Sequence, residues 1–123
     1  MWGMMKTTLF AALAVLSLST PSVADQAQIE NATATKSGNS WSFSVTIRHP
    51  DTGWDHYADG WSINAPDGTE LGYRKLLHPH ENEQPFTRSL AGVNVPDGVT
   101  EVVVRAHDSV HGWSDKTYTL KLN

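Results

Sequence analysis

The stretch Trp41-Ser42-Phe43-Ser44-Val45-Thr46-Ile47-Arg48 decides the fold. Trp41, Phe43, Val45 and Ile47 alternate with Ser42, Ser44, Thr46 and Arg48. This period of two puts one set on a buried sheet face and the other in water. Upstream, Ile29 to Thr35 reads as a partner strand, joined through Lys36-Ser37-Gly38-Asn39, a composition that supplies the positive φ of a tight connection. Downstream, His49 to Gly60 carries Pro50, Gly53 and Gly60 and reads as a loop. Strands are then expected at Trp61 to Asn64, Glu70 to Leu77, Phe86 to Leu90, Thr100 to Asp108 and Lys116 to Leu122. Turns at Pro66-Asp67-Gly68 and Pro96-Asp97-Gly98, with loops at His78 to Pro85 and Ser109 to Asp115, separate them. No segment from residue 25 onward shows a helical period. The expected fold is all-β: a seven-stranded immunoglobulin-like or fibronectin III-like sandwich.

The first two dozen residues belong to a different kind of segment. Lys6, the apolar run from Leu9 to Leu18 and the small residues Ser22 and Ala24 before Asp25 have the layout of a cleaved secretory signal peptide at 1–24. The expected mature domain is 25–123, periplasmic or secreted, with no membrane span after cleavage because the apolar run is too short. Cleavage removes Lys6 and all three Met, leaving 8 basic against 13 acidic side chains and no sulfur atom. Nucleic acid is excluded as a partner, since binding it needs a basic stripe. A Cys nucleophile, a disulfide framework and an iron–sulfur cluster are excluded by the absence of Cys, and no serine hydrolase motif is present.

Strand parity supplies the functional signal. In an up-and-down sandwich the loops after the second, fourth and sixth strands share one pole. All six histidines, His49, His56, His78, His80, His107 and His111, lie in those loops or at the strand ends feeding them. Imidazoles brought together from separate loops make a preorganised metal site. His78-Pro79-His80 puts two rings on one side of an extended segment, a chelating pair. Asp51, Asp55, Asp108, Glu81 and Glu83 stand in or beside the same loops as oxygen ligands or as acceptors that orient the rings. Ligands of this kind favour Fe, Cu(II), Ni(II) or Zn over Cu(I). His107 alternates with Ala106 and is expected to point away from the core. Trp54, Tyr57 and Trp113 fall at the same pole, where they either cover the loops or stack on a ligand.

The order of these motifs resembles the iron-binding domain of the desulfoferrodoxin and superoxide reductase family. The matching pieces are the Trp41 to Ile47 strand, His49-Pro50, His56-Tyr57, Trp61-Ser62-Ile63 and Ala106 through His111-Gly112-Trp113. Small exported bacterial proteins with no assigned activity also look similar over His78 to Arg88 and Ala106 to Gly112. The family resemblance implies iron held by four equatorial histidines and an axial cysteine, with His49, His56 and His111 at ligand positions. Asp108 stands where that cysteine would be, the family's N-terminal histidine has no counterpart, and the His49 to His56 spacing is one residue longer. His78 and His80 are available to replace the missing imidazole.

Together these readings lead to one transition metal ion, Fe, Cu or Zn, held by His49, His56, His111, one or both of His78 and His80, and Asp108. Metal carriage or a structural ion is favoured over superoxide turnover, because the thiolate is missing. The alternative is a metal-free interaction module that uses the same loops to contact a periplasmic protein partner.

Overall fold

The computed structural model describes residues 26–123, so the signal peptide expected at 1–24 lies outside the described residues. Eight strands form two antiparallel sheets: β1 (Gln28–Ser37), β2 (Ser40–Arg48), β3 (Ala58–Asn64), β4 (Glu70–Lys75), β5 (Phe86–Val93), β6 (Glu101–Asp108), β7 (Gly112–Trp113) and β8 (Tyr118–Lys121). One sheet runs β1-β2-β5; the other runs β4-β3-β6, with β7 and β8 both pairing with β6. Among the described residues no helix is long and apolar enough to cross a membrane.

The alternation in the quoted stretch has the expected physical result. Phe43, Val45 and Ile47 are fully buried, Trp41 packs at the margin of the same cluster, and Ser42 and Thr46 keep partial contact with solvent. From the facing sheet come Trp61, Ile63, Val102, Val104 and Ala106, every one of them enclosed. With no disulfide available, this interdigitation of two apolar faces holds the domain together.

Among the described residues the strands number eight rather than seven, and the addition lies inside the stretch expected to be a loop. Gly112 adopts φ 75°, which lets the chain reverse after Val110 and pair Gly112 and Trp113 with Asp108 and His107. β3 starts three residues earlier than expected, because Ala58 and Gly60 pair with the end of β6 despite their loop-like composition. A side chain at position 60 would strike the Tyr73 ring, so glycine here seats that ring on the sheet. Among the strand arginines, Arg48 pairs with Glu30 on β1. Arg88 instead reaches Glu83 in the preceding loop, Arg105 lies over the Trp113 ring, and the Arg74 Nε is buried without a hydrogen-bond partner.

The loops after β2, β4 and β6 meet at one end of the sandwich. Tyr57 accepts from Ser109 N at 2.9 Å, and His80 N donates to Asp51 Oδ2 at 2.7 Å, so each loop is tied to a neighbour. Because this end is built on the core, its stability is that of the core. Truncation at its centre, Phe43→Ala, is expected to lower the unfolding free energy by about 3–5 kcal/mol. Urea unfolding followed by tryptophan fluorescence checks this, and a loss below about 1 kcal/mol would mean that the sheets do not close over that ring.

Candidate metal centre

β2 runs its apolar face directly into His49, which is as thoroughly buried as the core residues before it. Pro50 and Gly53 then turn the chain so that Thr52 N bonds His56 O at 2.8 Å, and the loop folds back over His49. The two rings meet edge to face with centroids 4.6 Å apart and with His49 Nε2 and His56 Nε2 separated by 3.1 Å. On its other side, the His49 Nδ1 lies 2.5 Å from Asp51 Oδ1.

β6 delivers the third group. Its inward alternation, Val102, Val104, Ala106, continues to Asp108, so a carboxylate occupies the next core-facing position and is fully buried. Asp108 Oδ1 accepts the N–H groups of Val110 and His111 at 2.9 and 2.7 Å, the bonds that shape the reversal into β7. His56 Nε2 and His111 Nδ1 each lie 3.2 Å from the same oxygen. Asp108 Oδ2, by contrast, is buried and has no hydrogen-bond partner. Burial alone lifts the Asp108 pKa. The N–H groups of His111 and Val110, with the His111 and His49 rings beside it, outweigh that effect and hold the carboxyl below its ordinary range. The group is therefore an ionised carboxylate enclosed by protein.

His49, His56 and Asp108 each present a donor atom within 4.8 Å of the other two, a group able to hold a metal ion. A metal fits these residues on two observations. Two imidazole nitrogens bound to one ion at about 2.0–2.1 Å sit roughly 3 Å apart, which is the separation of the two Nε2 atoms. The orphaned Asp108 Oδ2 is a buried anionic atom lacking the partner that such an atom ordinarily has. His111 borders the group through Asp108 Oδ1, with its ring centroid 4.9 Å from that of His56.

The sequence-expected residues separate into two sets. His49, His56, Asp108 and His111 come together. His78 and His80 do not join them: their rings contact each other at 4.6 Å in the loop after β4. His80 stacks on Phe86 at 3.9 Å with its Nε2 2.9 Å from Arg88 Nη2, while His78 is exposed with Nδ1 3.2 Å from Pro79 O. His107 points outward as expected, against Trp113 and 2.5 Å from Asp59 Oδ1. Trp54 is 67% exposed and meets the Tyr57 ring edge to face. Gln84, which no sequence motif marked, accepts from His49 N at 2.9 Å and donates to His80 O at 2.8 Å. No signal short of the three-dimensional contact identifies it.

No family model matches the chain. A protein of Halomicrobium mukohataei that carries a provisional lipoprotein name is 50% identical over 76 residues, which are 62% of this chain and 37% of that protein. The chain thus spans little more than a third of the length of that relative. Two solved structures share the fold at low identity. A hypothetical protein from Pyrococcus horikoshii superposes with TM-score 0.52 at 11% identity, over 80% of this chain and 90% of that one. A superoxide reductase in the oxidised state superposes with TM-score 0.52 at 9% identity, again over 80% and 90% of the two chains.

Burial, then the Arg88 guanidinium and His78, pull the His80 pKa below the ordinary imidazole value, against the opposite pull of Asp51 and Glu83. The free ring in the unfolded chain takes a proton near 6.5, while the folded ring resists it, so the unfolded state binds more protons in this window. Stability is therefore expected to be retained above about pH 6.5 and to fall as the pH drops below it, until the folded ring itself protonates. Urea unfolding of the metal-free protein at about pH 7.5 and 5.5 should show a steeper loss in the wild type than in His80→Phe, which keeps the stack on Phe86. Equal losses would contradict a buried neutral His80.

Proposed function

We propose that this protein is an exported β-sandwich that holds one divalent transition metal ion, Zn, Fe or Cu, at the pole where the loops after β2 and β6 meet. The observation that carries the reading is the convergence of His49 Nε2 and His56 Nε2, 3.1 Å apart, beside the buried carboxylate of Asp108. His49, His56 and Asp108 would hold the ion, and His111 is the additional imidazole next to them. Two imidazoles and a carboxylate are a donor composition used for non-haem Fe(II) and for zinc. When bound, such an ion supplies Lewis acidity or, if iron or copper, one-electron chemistry.

In the metal-free protein the chain's own residues hold a proton where the ion would sit. With Asp51 as an acceptor-only carboxylate, His49 would donate from Nδ1, and the hydrogen between the two Nε2 atoms would then belong to His56, within reach of Asp108 Oδ1. Loading therefore releases this proton. Carriage or a structural ion is favoured over superoxide turnover, because Asp108 stands where the resembling enzymes have a thiolate and the chain has no Cys. The order β1-β2-β5 against β4-β3-β6-β8 supports reading the sandwich as immunoglobulin-like or fibronectin III-like. Export is supported by the layout of residues 1–24 and by the lipoprotein name of the relative.

A second reading, an interaction module, is favoured by three exposed apolar side chains in the same loops: Trp54 at 67%, Leu77 at 66% and Val110 at 58%. Metal content separates the two. The chain purified without a histidine tag is expected to carry one equivalent of Zn, Fe or Cu by mass spectrometry, or to take up one equivalent of Zn(II). His49→Ala and His56→Ala should each weaken Zn(II) binding by more than about a hundredfold. Failure to bind any of the three metals would leave the interaction module as the reading.

A further inference from the structure

The loop 76–85 was expected to contribute ligands, yet its contacts with the site run through other atoms. Asp51 has no solvent-exposed side-chain surface. Its Oδ1 lies 2.5 Å from His49 Nδ1 and accepts from Ala58 N at 3.0 Å, and its Oδ2 accepts from His80 N at 2.7 Å. Gln84 makes a second tie between the same two segments, His49 N to its Oε1 and its Nε2 to His80 O. One carboxylate and one amide therefore fix the backbone and ring of His49 relative to this loop.

We infer that Asp51 is a positioning residue for the metal site proposed above, and that the loop 76–85 acts on the site through Asp51 and Gln84 rather than by donating His78 or His80 as ligands. This inference rests on that reading of the site. An ionised carboxylate can only accept, so the hydrogen of a neutral His49 ring is on Nδ1 and the lone pair is on Nε2, the atom facing His56. The opposite tautomer would place a hydrogen on Nε2 and close the site to an ion. The His80 ring takes the same tautomer, but its lone pair is already engaged. Arg88 can only donate, so His80 Nε2 accepts from it, and the ring hydrogen falls on Nδ1, 4.0 Å from Asp51 Oδ2. Neither His80 nitrogen keeps a lone pair for a metal. His80 thus serves the site through its backbone N–H, with its ring anchored on Phe86 and Arg88.

The test combines a tautomer readout with a binding readout. In metal-free wild-type protein at about pH 8, nitrogen-15 NMR of the histidine side chains should find His49 protonated at Nδ1. Asp51→Ala, which removes the acceptor, should lose this selectivity and weaken Zn(II) affinity by about 10–100-fold, whereas His80→Phe, which retains the backbone N–H, should stay within about threefold of wild type. A wild-type His49 protonated at Nε2 overturns the inference, and so does a folded Asp51→Ala protein with unchanged Zn(II) affinity. So too does a folded His80→Phe protein that no longer binds Zn(II), since that makes His80 a ligand. Nδ1 protonation in a wild-type protein that binds no Zn(II) is a separate result: it overturns the metal reading itself, and with it any role of Asp51 in loading.

Discussion

Asp108 places an ionised carboxylate at the end of a strand whose preceding inward positions are Val102, Val104 and Ala106, and no solvent reaches it. A buried anion costs several kcal/mol unless neighbours compensate it, on the order of what a small domain has in total stability. The surrounding chain is organised around that requirement. Two backbone N–H groups bend the chain after β6 onto Oδ1, and this bend brings His111 alongside and starts the return as β7. His56 approaches the same oxygen from the loop after β2. What remains is a buried carboxylate whose Oδ1 lies 3.2 Å from His56 Nε2 and whose Oδ2 has no hydrogen-bond partner, in a group with two imidazole nitrogens that face each other. A cation held by this carboxylate and the two nitrogens would compensate the buried charge.

The sandwich makes this arrangement rigid. His49 is the continuation of the buried face of β2, and Asp108 that of β6, so the two groups come from opposite sheets and are held by the same core. The loop after β4 is tied to His49 through Asp51 and Gln84. Loops on such a scaffold can carry chemistry because the strands beneath them do not move.

Much of this was legible in the sequence. The period-two stretches gave β2 and β6 nearly to the residue, and strand parity put the histidine-bearing loops at a common end, because both depend on local alternation that burial enforces. The extra strand β7 and the early start of β3 were not legible: pairing to β6 recruits Gly60 and Gly112, which read as turn residues from composition alone. His80 looked like half of a chelating pair because the alternation of His78-Pro79-His80 is visible, whereas the Arg88 and Phe86 contacts that occupy its ring come from the next strand in three dimensions. Gln84 and the double use of Asp51 depend on the same long-range geometry. Asp108 was legible by position but not by state, since only the fold tells which of its oxygens lacks a partner.

The central claim is that a single ion belongs between His49, His56 and Asp108. Anomalous diffraction at the zinc absorption edge from crystals grown with Zn(II) tests it directly. The account predicts one peak within about 2.3 Å of His49 Nε2, His56 Nε2 and an Asp108 carboxylate oxygen. A map empty at that point, or with its peak beside His78 and His80 instead, would contradict it.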